Sequence, residues 1–124
     1  MTKVLLVDDD PQVRRMLGET LRQEKLDVTE AASGKEALER YREQQADVVI
    51  MDIIMPGQDG VEAIHALRGE FPEAKIIAVS GGSPNIPGER LLKTASQLGA
   101  DRAFAKPMEI DLLLQTIREL TSKS

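Results

Sequence analysis

Five short apolar runs recur along the chain, each followed by a segment whose apolar residues fall at helical spacing. The runs are Val4–Val7, Val28–Ala31, Val48–Met51, Lys75–Val79 and Arg102–Ala105. Strands that are apolar on successive residues rather than alternate ones are covered on both faces, which is the mark of a parallel sheet. Strand and helix in strict alternation, joined by right-handed crossovers, give a doubly wound (βα)5 three-layer α/β sandwich.

The intervening segments read as helices with identifiable starts and stops. Val13, Met16, Leu17, Thr20 and Leu21 form a single stripe in the first. The second opens on Ser33-Gly34-Lys35-Glu36, a capping-box spacing, and carries Ala37, Leu38 and Tyr41. The third opens on Asp59-Gly60-Val61-Glu62 and carries Val61, Ile64 and Leu67. The fourth carries Leu91, Leu92, Ala95 and Leu98 and stops at Gly99, and the fifth carries Ile110, Leu113, Leu114, Ile117 and Leu120. Gly81 to Gly88 is a long Gly- and Pro-rich loop.

Length and composition narrow what such a sheet can serve. The 124 residues suit one domain, expected to span 1–124. Aromatic residues make up 2%, so the core is aliphatic, with the methionines as further packing candidates. The absence of cysteine excludes disulfides and thiolate metal sites. No apolar run reaches the length of a membrane span, and the N-terminus lacks a signal-peptide layout. Sixteen basic against 21 acidic residues leave a net charge of −5, which argues against direct nucleic-acid binding.

Sites in open parallel sheets form beyond the carboxyl ends of the strands. The first strand runs into Asp8, Asp9 and Asp10, the third into Asp52, the fourth into Ser80 and the fifth into Lys106. Two carboxylates about 4 Å apart repel by roughly 4 kcal/mol at an effective dielectric near 20. A hard divalent cation on oxygen ligands offsets that repulsion and favours Mg2+. A carboxylate held in such a cage can act as a nucleophile and become an aspartyl phosphate. Asp10, followed by Pro11, reads instead as a helix N-cap. His65 falls off the apolar stripe and reads as solvated.

The segments VLLVDDD, VVIMDIIMPGQDG, IIAVSGG and GADRAFAKP, in this order, resemble the receiver domain of bacterial response regulators. The resemblance covers essentially the whole chain. It implies a flavodoxin-like sheet of order 2-1-3-4-5 and a cytoplasmic switch of two-component signalling rather than an enzyme. It implies Asp52 as phosphoacceptor, with Asp8, Asp9, Asp52 and the backbone carbonyl of Ile54 around Mg2+. Ser80 would be the switch hydroxyl, Lys106 the phosphoryl-contacting cation, and Lys106-Pro107 a cis peptide. A histidine kinase or phosphotransfer protein would donate the phosphoryl group. Output would pass through the face of the fourth helix, fifth strand and fifth helix.

The chain also departs from that family. Ala103 stands where receivers carry an aromatic, and Phe104 is expected on the opposite face of its strand. Signalling is then expected to run through the 81–88 loop and the fourth helix. Ile54, apolar and two residues after Asp52, is expected to slow self-dephosphorylation. Two other readings stay open. One is a haloacid-dehalogenase-like phosphatase using Asp8 and Asp10 as a DxD pair, and the other is a degenerate receiver that binds partners without phosphorylation.

Overall fold

The computed structural model describes residues 1–53, 59–80, 88–106 and 109–122. Five strands alternate with five helices: β1 (Lys3–Val7), α1 (Pro11–Gln23), β2 (Asp27–Ala31), α2 (Gly34–Glu43), β3 (Val48–Asp52), α3 (Asp59–Glu70), β4 (Ile76–Ser80), α4 (Gly88–Leu98), β5 (Arg102–Ala105) and α5 (Ile110–Thr121). The strands form one parallel sheet of order β2-β1-β3-β4-β5. The strands begin or end within a residue of the apolar runs. Asp52 and Ser80 fall inside β3 and β4 rather than after them, because main-chain pairing carries on through Asp52 opposite Val79 and Ser80 opposite Ala105.

Alternation along each strand divides the interior into two layers. Leu5, Val7, Val49, Met51, Ile76 and Ala78 pack with Ala37 and Tyr41 of α2, Ala63, Ile64 and Leu67 of α3, and Ala95 of α4. Val4, Leu6, Val48, Ile50, Ile77 and Val79 pack with Leu21 of α1 and Leu113, Leu114 and Ile117 of α5. Each fully buried Leu or Ile of this kind contributes about 1.5–3 kcal/mol. Ala103 joins the first layer and Phe104 the second, as strand alternation requires. The aliphatic interior includes one aromatic pair, Tyr41 edge-on to Phe71 with ring centroids 4.7 Å apart.

The expected stripe of α1 is covered at only one end. Leu21 is buried, but Val13 and Met16 are 40% and 64% exposed, so Met16 is not a core residue. Their flank faces α5 across an open groove of about 590 Å3 floored by Leu6, Ile50 and Val79. Helical periodicity identifies an apolar face but not what covers it.

At the amino edge of the sheet, Arg68 of α3 fastens three elements. Its guanidinium donates to the carbonyls of Pro72, Ala74 and Gly99 and to Asp101 Oδ2 at 2.8 Å. Asp101 Oδ2 also accepts the Ile76 amide at 2.8 Å, which ties the starts of β4 and β5 together. Gly99, at φ +128°, ends α4 as expected; a Cβ there would lie 2.8 Å from Arg68 Cγ.

Several expectations fall outside the described residues: the Ile54 carbonyl, residues 81–87 of the loop, and the Lys106-Pro107 peptide.

Candidate functional site

The carboxyl ends of β1, β3 and β5 bring Asp8, Asp52 and Lys106 together. Lys106 Nζ lies 3.0 Å from Asp52 Oδ2 and 3.4 Å from Asp8 Oδ2. Both carboxylates are buried, at 5% and 6% exposure, while Asp9 is exposed beside them. Carboxylate oxygens of Asp8, Asp9 and Asp52 all lie within 4.8 Å of one another. Burial is the largest single influence on the Lys106 ammonium and disfavours its charge. The hydrogen bond the ammonium donates to Asp52 and the fields of Asp52 and Asp8 outweigh it, and the group is held above the usual lysine range.

Local structure shapes the acidic turn after β1. The Asp8 amide donates to the Ala31 carbonyl at 3.1 Å, and Asp8 Oδ1 accepts the Asp10 amide at 2.9 Å. Asp10 turns its carboxylate to the start of α1, accepting from the Gln12 and Val13 amides at 2.9 and 3.3 Å. It is the N-cap expected of an acid before Pro11 and stands outside the carboxylate cluster.

Beneath β3, α3 presses its first turn against the strand end. A Cβ at Gly60 would lie 2.6 Å from Ile53 Cα and would also strike the Asp52 carbonyl. Glycine there lets the helix start close under Asp52. Ser80 is fully buried at the end of β4, and its carbonyl accepts the Lys106 amide at 2.9 Å, which locks β5 to β4 just before Lys106 leaves the sheet. His65 is exposed on α3, away from these groups.

Three carboxylates against one ammonium leave two net negative charges in a space a few ångströms across. The donors are all oxygen and two are buried. That set fits a hard dication, Mg2+ or a close analogue, and has no nitrogen or sulfur ligand for a softer metal.

One contact at the site carried no sequence expectation. Arg14 Nη1 donates to the Asp8 carbonyl at 2.7 Å, and its Nε donates to Glu30 Oε1 of β2 at 3.1 Å. The available signal was the spacing of Arg14, Gly18 and Arg22 on one face of α1, opposite the acidic Glu30 between the buried Val28 and Ala31 of β2.

The family model for the response regulator receiver domain matches residues 4–118. The chain belongs to the response-regulator receiver family. This receiver is 36% identical over 118 residues to the chemotaxis protein CheY of Halobacterium salinarum, covering 95% of each chain. It is 29% identical to the probable transcriptional regulatory protein TcrX of Mycobacterium tuberculosis, covering 98% of this chain and 50% of that one. Among solved structures, the response regulator TrrA of Thermotoga maritima, in complex with Mg2+-BeF, superposes with a TM-score of 0.84 at 32% identity. That match covers 97% of this chain and 99% of the other.

A receiver is a phosphorylation-controlled signalling switch that uses Mg2+ and takes its phosphoryl group from kinase or phosphotransfer partners, not an enzyme turning over a separate substrate. The phosphatase reading finds no support: the family is a different one, and Asp10 is engaged as a helix cap. Among the described residues, no helix is long and apolar enough to cross a membrane.

Proposed function

We propose that Asp52 is the phosphoacceptor of a receiver formed by residues 1–124, and that Asp8, Asp9, Asp52 and the Ile54 carbonyl hold its Mg2+. One observation carries this reading: Lys106 Nζ reaches Asp52 Oδ2 and Asp8 Oδ2 at 3.0 and 3.4 Å inside a cluster of three carboxylates. One Asp52 oxygen attacks phosphorus. The bond from phosphorus to the donor's leaving atom breaks, and that atom keeps the electron pair and takes a proton. Bound Mg2+ neutralises charge on the carboxylates and on the transferred oxygens. Lys106 contacts a phosphoryl oxygen, and Asp8 keeps its ammonium aimed at the site. The Ser80 hydroxyl, at the end of β4, serves as the switch group.

On this reading the phosphoryl group comes from a histidine kinase or phosphotransfer protein in the cytoplasm. The chain promotes both its own phosphorylation and its own dephosphorylation, the latter slowly because Ile54 is apolar. Output passes through α4, β5 and α5, where β5 is an edge strand exposed at both of its ends. The absence of an aromatic at Ala103 leaves this switch to the 81–88 loop and α4. An intact cluster favours it over a degenerate, phosphorylation-independent receiver. The test is intact-mass spectrometry after acetyl phosphate and Mg2+. Wild type should gain one phosphoryl mass, labile to acid and to alkali, that Asp52→Asn lacks; equal labelling of both proteins defeats the assignment.

A further inference from the structure

Asp9 is the least supported of the clustered carboxylates. It is exposed, and no hydrogen bond among the described residues holds its side chain. Its aim therefore depends on the backbone that carries it. The peptide between Asp8 and Asp9 is held through its carbonyl, which accepts Arg14 Nη1 at 2.7 Å. Arg14 is itself fixed: its side chain is 18% exposed, and its Nε is paired with Glu30 Oε1 at 3.1 Å. The other oxygen of Glu30 takes Arg22 Nη2 at 3.1 Å, and Arg22 also donates to the Val28 carbonyl. Gly18, between the two arginines, leaves room for this: a Cβ there would lie 3.3 Å from Arg22 Nη1 and 3.4 Å from Glu30 Oε2.

We infer that Arg14, braced by Glu30, is a positioning residue for the Mg2+-binding turn, setting the Asp8–Asp9 peptide plane so that Asp9 faces Asp8 and Asp52. This rests on the proposed metal site and deepens it. The planar fork of arginine is what lets one side chain bond the Asp8 carbonyl and the Glu30 carboxylate together. Charge alone would act in the opposite sense, because a guanidinium close to a dication weakens its binding. The sign of the effect thus separates positioning from electrostatics.

The experiment is a MgCl2 titration of 15N-labelled wild type, Arg14→Met, Arg14→Lys and Arg22→Met, followed at the amides of residues 8–10. Arg14→Met should bind Mg2+ about tenfold more weakly, as for other groups that orient a metal ligand from behind. Arg14→Lys keeps the charge but loses the fork and should also bind more weakly. Arg22→Met, which removes a bond to the same Glu30 carboxylate without touching Asp8, should stay within about twofold of wild type. Should Arg14→Met not fold, Arg14→Lys against Arg22→Met decides. Unchanged or tighter binding in the Arg14 variant overturns the inference, as does an equal loss in Arg22→Met. Wild-type amides that ignore Mg2+ overturn the metal site and the inference together, whereas a responsive wild type with unaffected variants overturns only the role of Arg14.

Discussion

Lys106 Nζ and Asp52 Oδ2 lie 3.0 Å apart although 54 residues separate them in the chain. The contact is made by topology: β3 and β5 flank β4, and their carboxyl ends open on the same rim. If Lys106 neutralises a phosphoryl oxygen in transfer, Lys106→Met should slow phosphorylation by acetyl phosphate about 100-fold, the usual cost of removing one preorganised donor. Mg2+ binding should survive, since the cluster loses only a positive charge. Stopped-flow or discontinuous mass measurements at saturating Mg2+ check this. A rate within a few-fold of wild type leaves Lys106 as a structural counter-ion.

The net negative charge of the cluster is a cost to the metal-free fold. Asp9 contributes to it without a hydrogen bond in return among the described residues. Asp9→Asn should therefore raise stability in EDTA at low salt by about 0.5–1 kcal/mol, the exposed position limiting the gain. Mg2+ at a hundredfold above its Kd should add about 2.7 kcal/mol to wild type, and much less to the variant. Urea denaturation with and without Mg2+ measures both. A variant destabilised in EDTA, or one keeping the whole Mg2+ increment, contradicts the proposed metal role.

Two glycines of α3 allow a paired test of how the helix supports the site. At Gly60 a methyl group would meet Ile53 Cα at 2.6 Å, and backbone cannot yield as a flexible side chain can. Gly60→Ala should cost about 1–3 kcal/mol by overpacking and should shift the Asp52 and Ile53 amide resonances. At Gly69 nothing lies within 4 Å, so Gly69→Ala should stabilise the helix by up to about 1 kcal/mol. Urea midpoints for the two variants should move in opposite directions; a neutral Gly60→Ala removes the close packing of α3 on β3.

Much of this organisation is visible in the residue pattern because buried parallel strands are apolar without interruption, and β1, β3 and β4 each announce themselves that way. The rim residues follow from the strands, since each polar group comes where an apolar run stops. Cross-chain ion pairs leave no such trace. Arg14 meets Glu30 only because α1 packs over β2, and Arg68 gathers carbonyls from three places that no local pattern connects. The exposure of Val13 and Met16 was hidden for a related reason, as an amphipathic face says nothing about the width of the gap opposite it.

Tyr41 offers a pH-dependent measurement free of overlap, because it is the only tyrosine and the chain has no tryptophan. Burial against the sheet raises its phenol pKa; the field of Arg68 works against that shift and the field of Asp47 adds to it. The native state thus holds the phenolic proton to a higher pH than the unfolded chain, whose phenol titrates near 10. By linkage, the stability this group contributes is fully present below that unfolded value and declines as pH rises through the native one. Lys106, also held above its ordinary range, loses its contribution in the alkaline region too, so the informative quantity is the difference between wild type and Tyr41→Phe. Phenolate absorbance of the native protein should reach its midpoint at higher pH than in concentrated urea, and Tyr41→Phe should lose less stability than wild type as pH is raised beyond 10. A native midpoint at or below the unfolded one would show that the ring edge facing Phe71 is open to water.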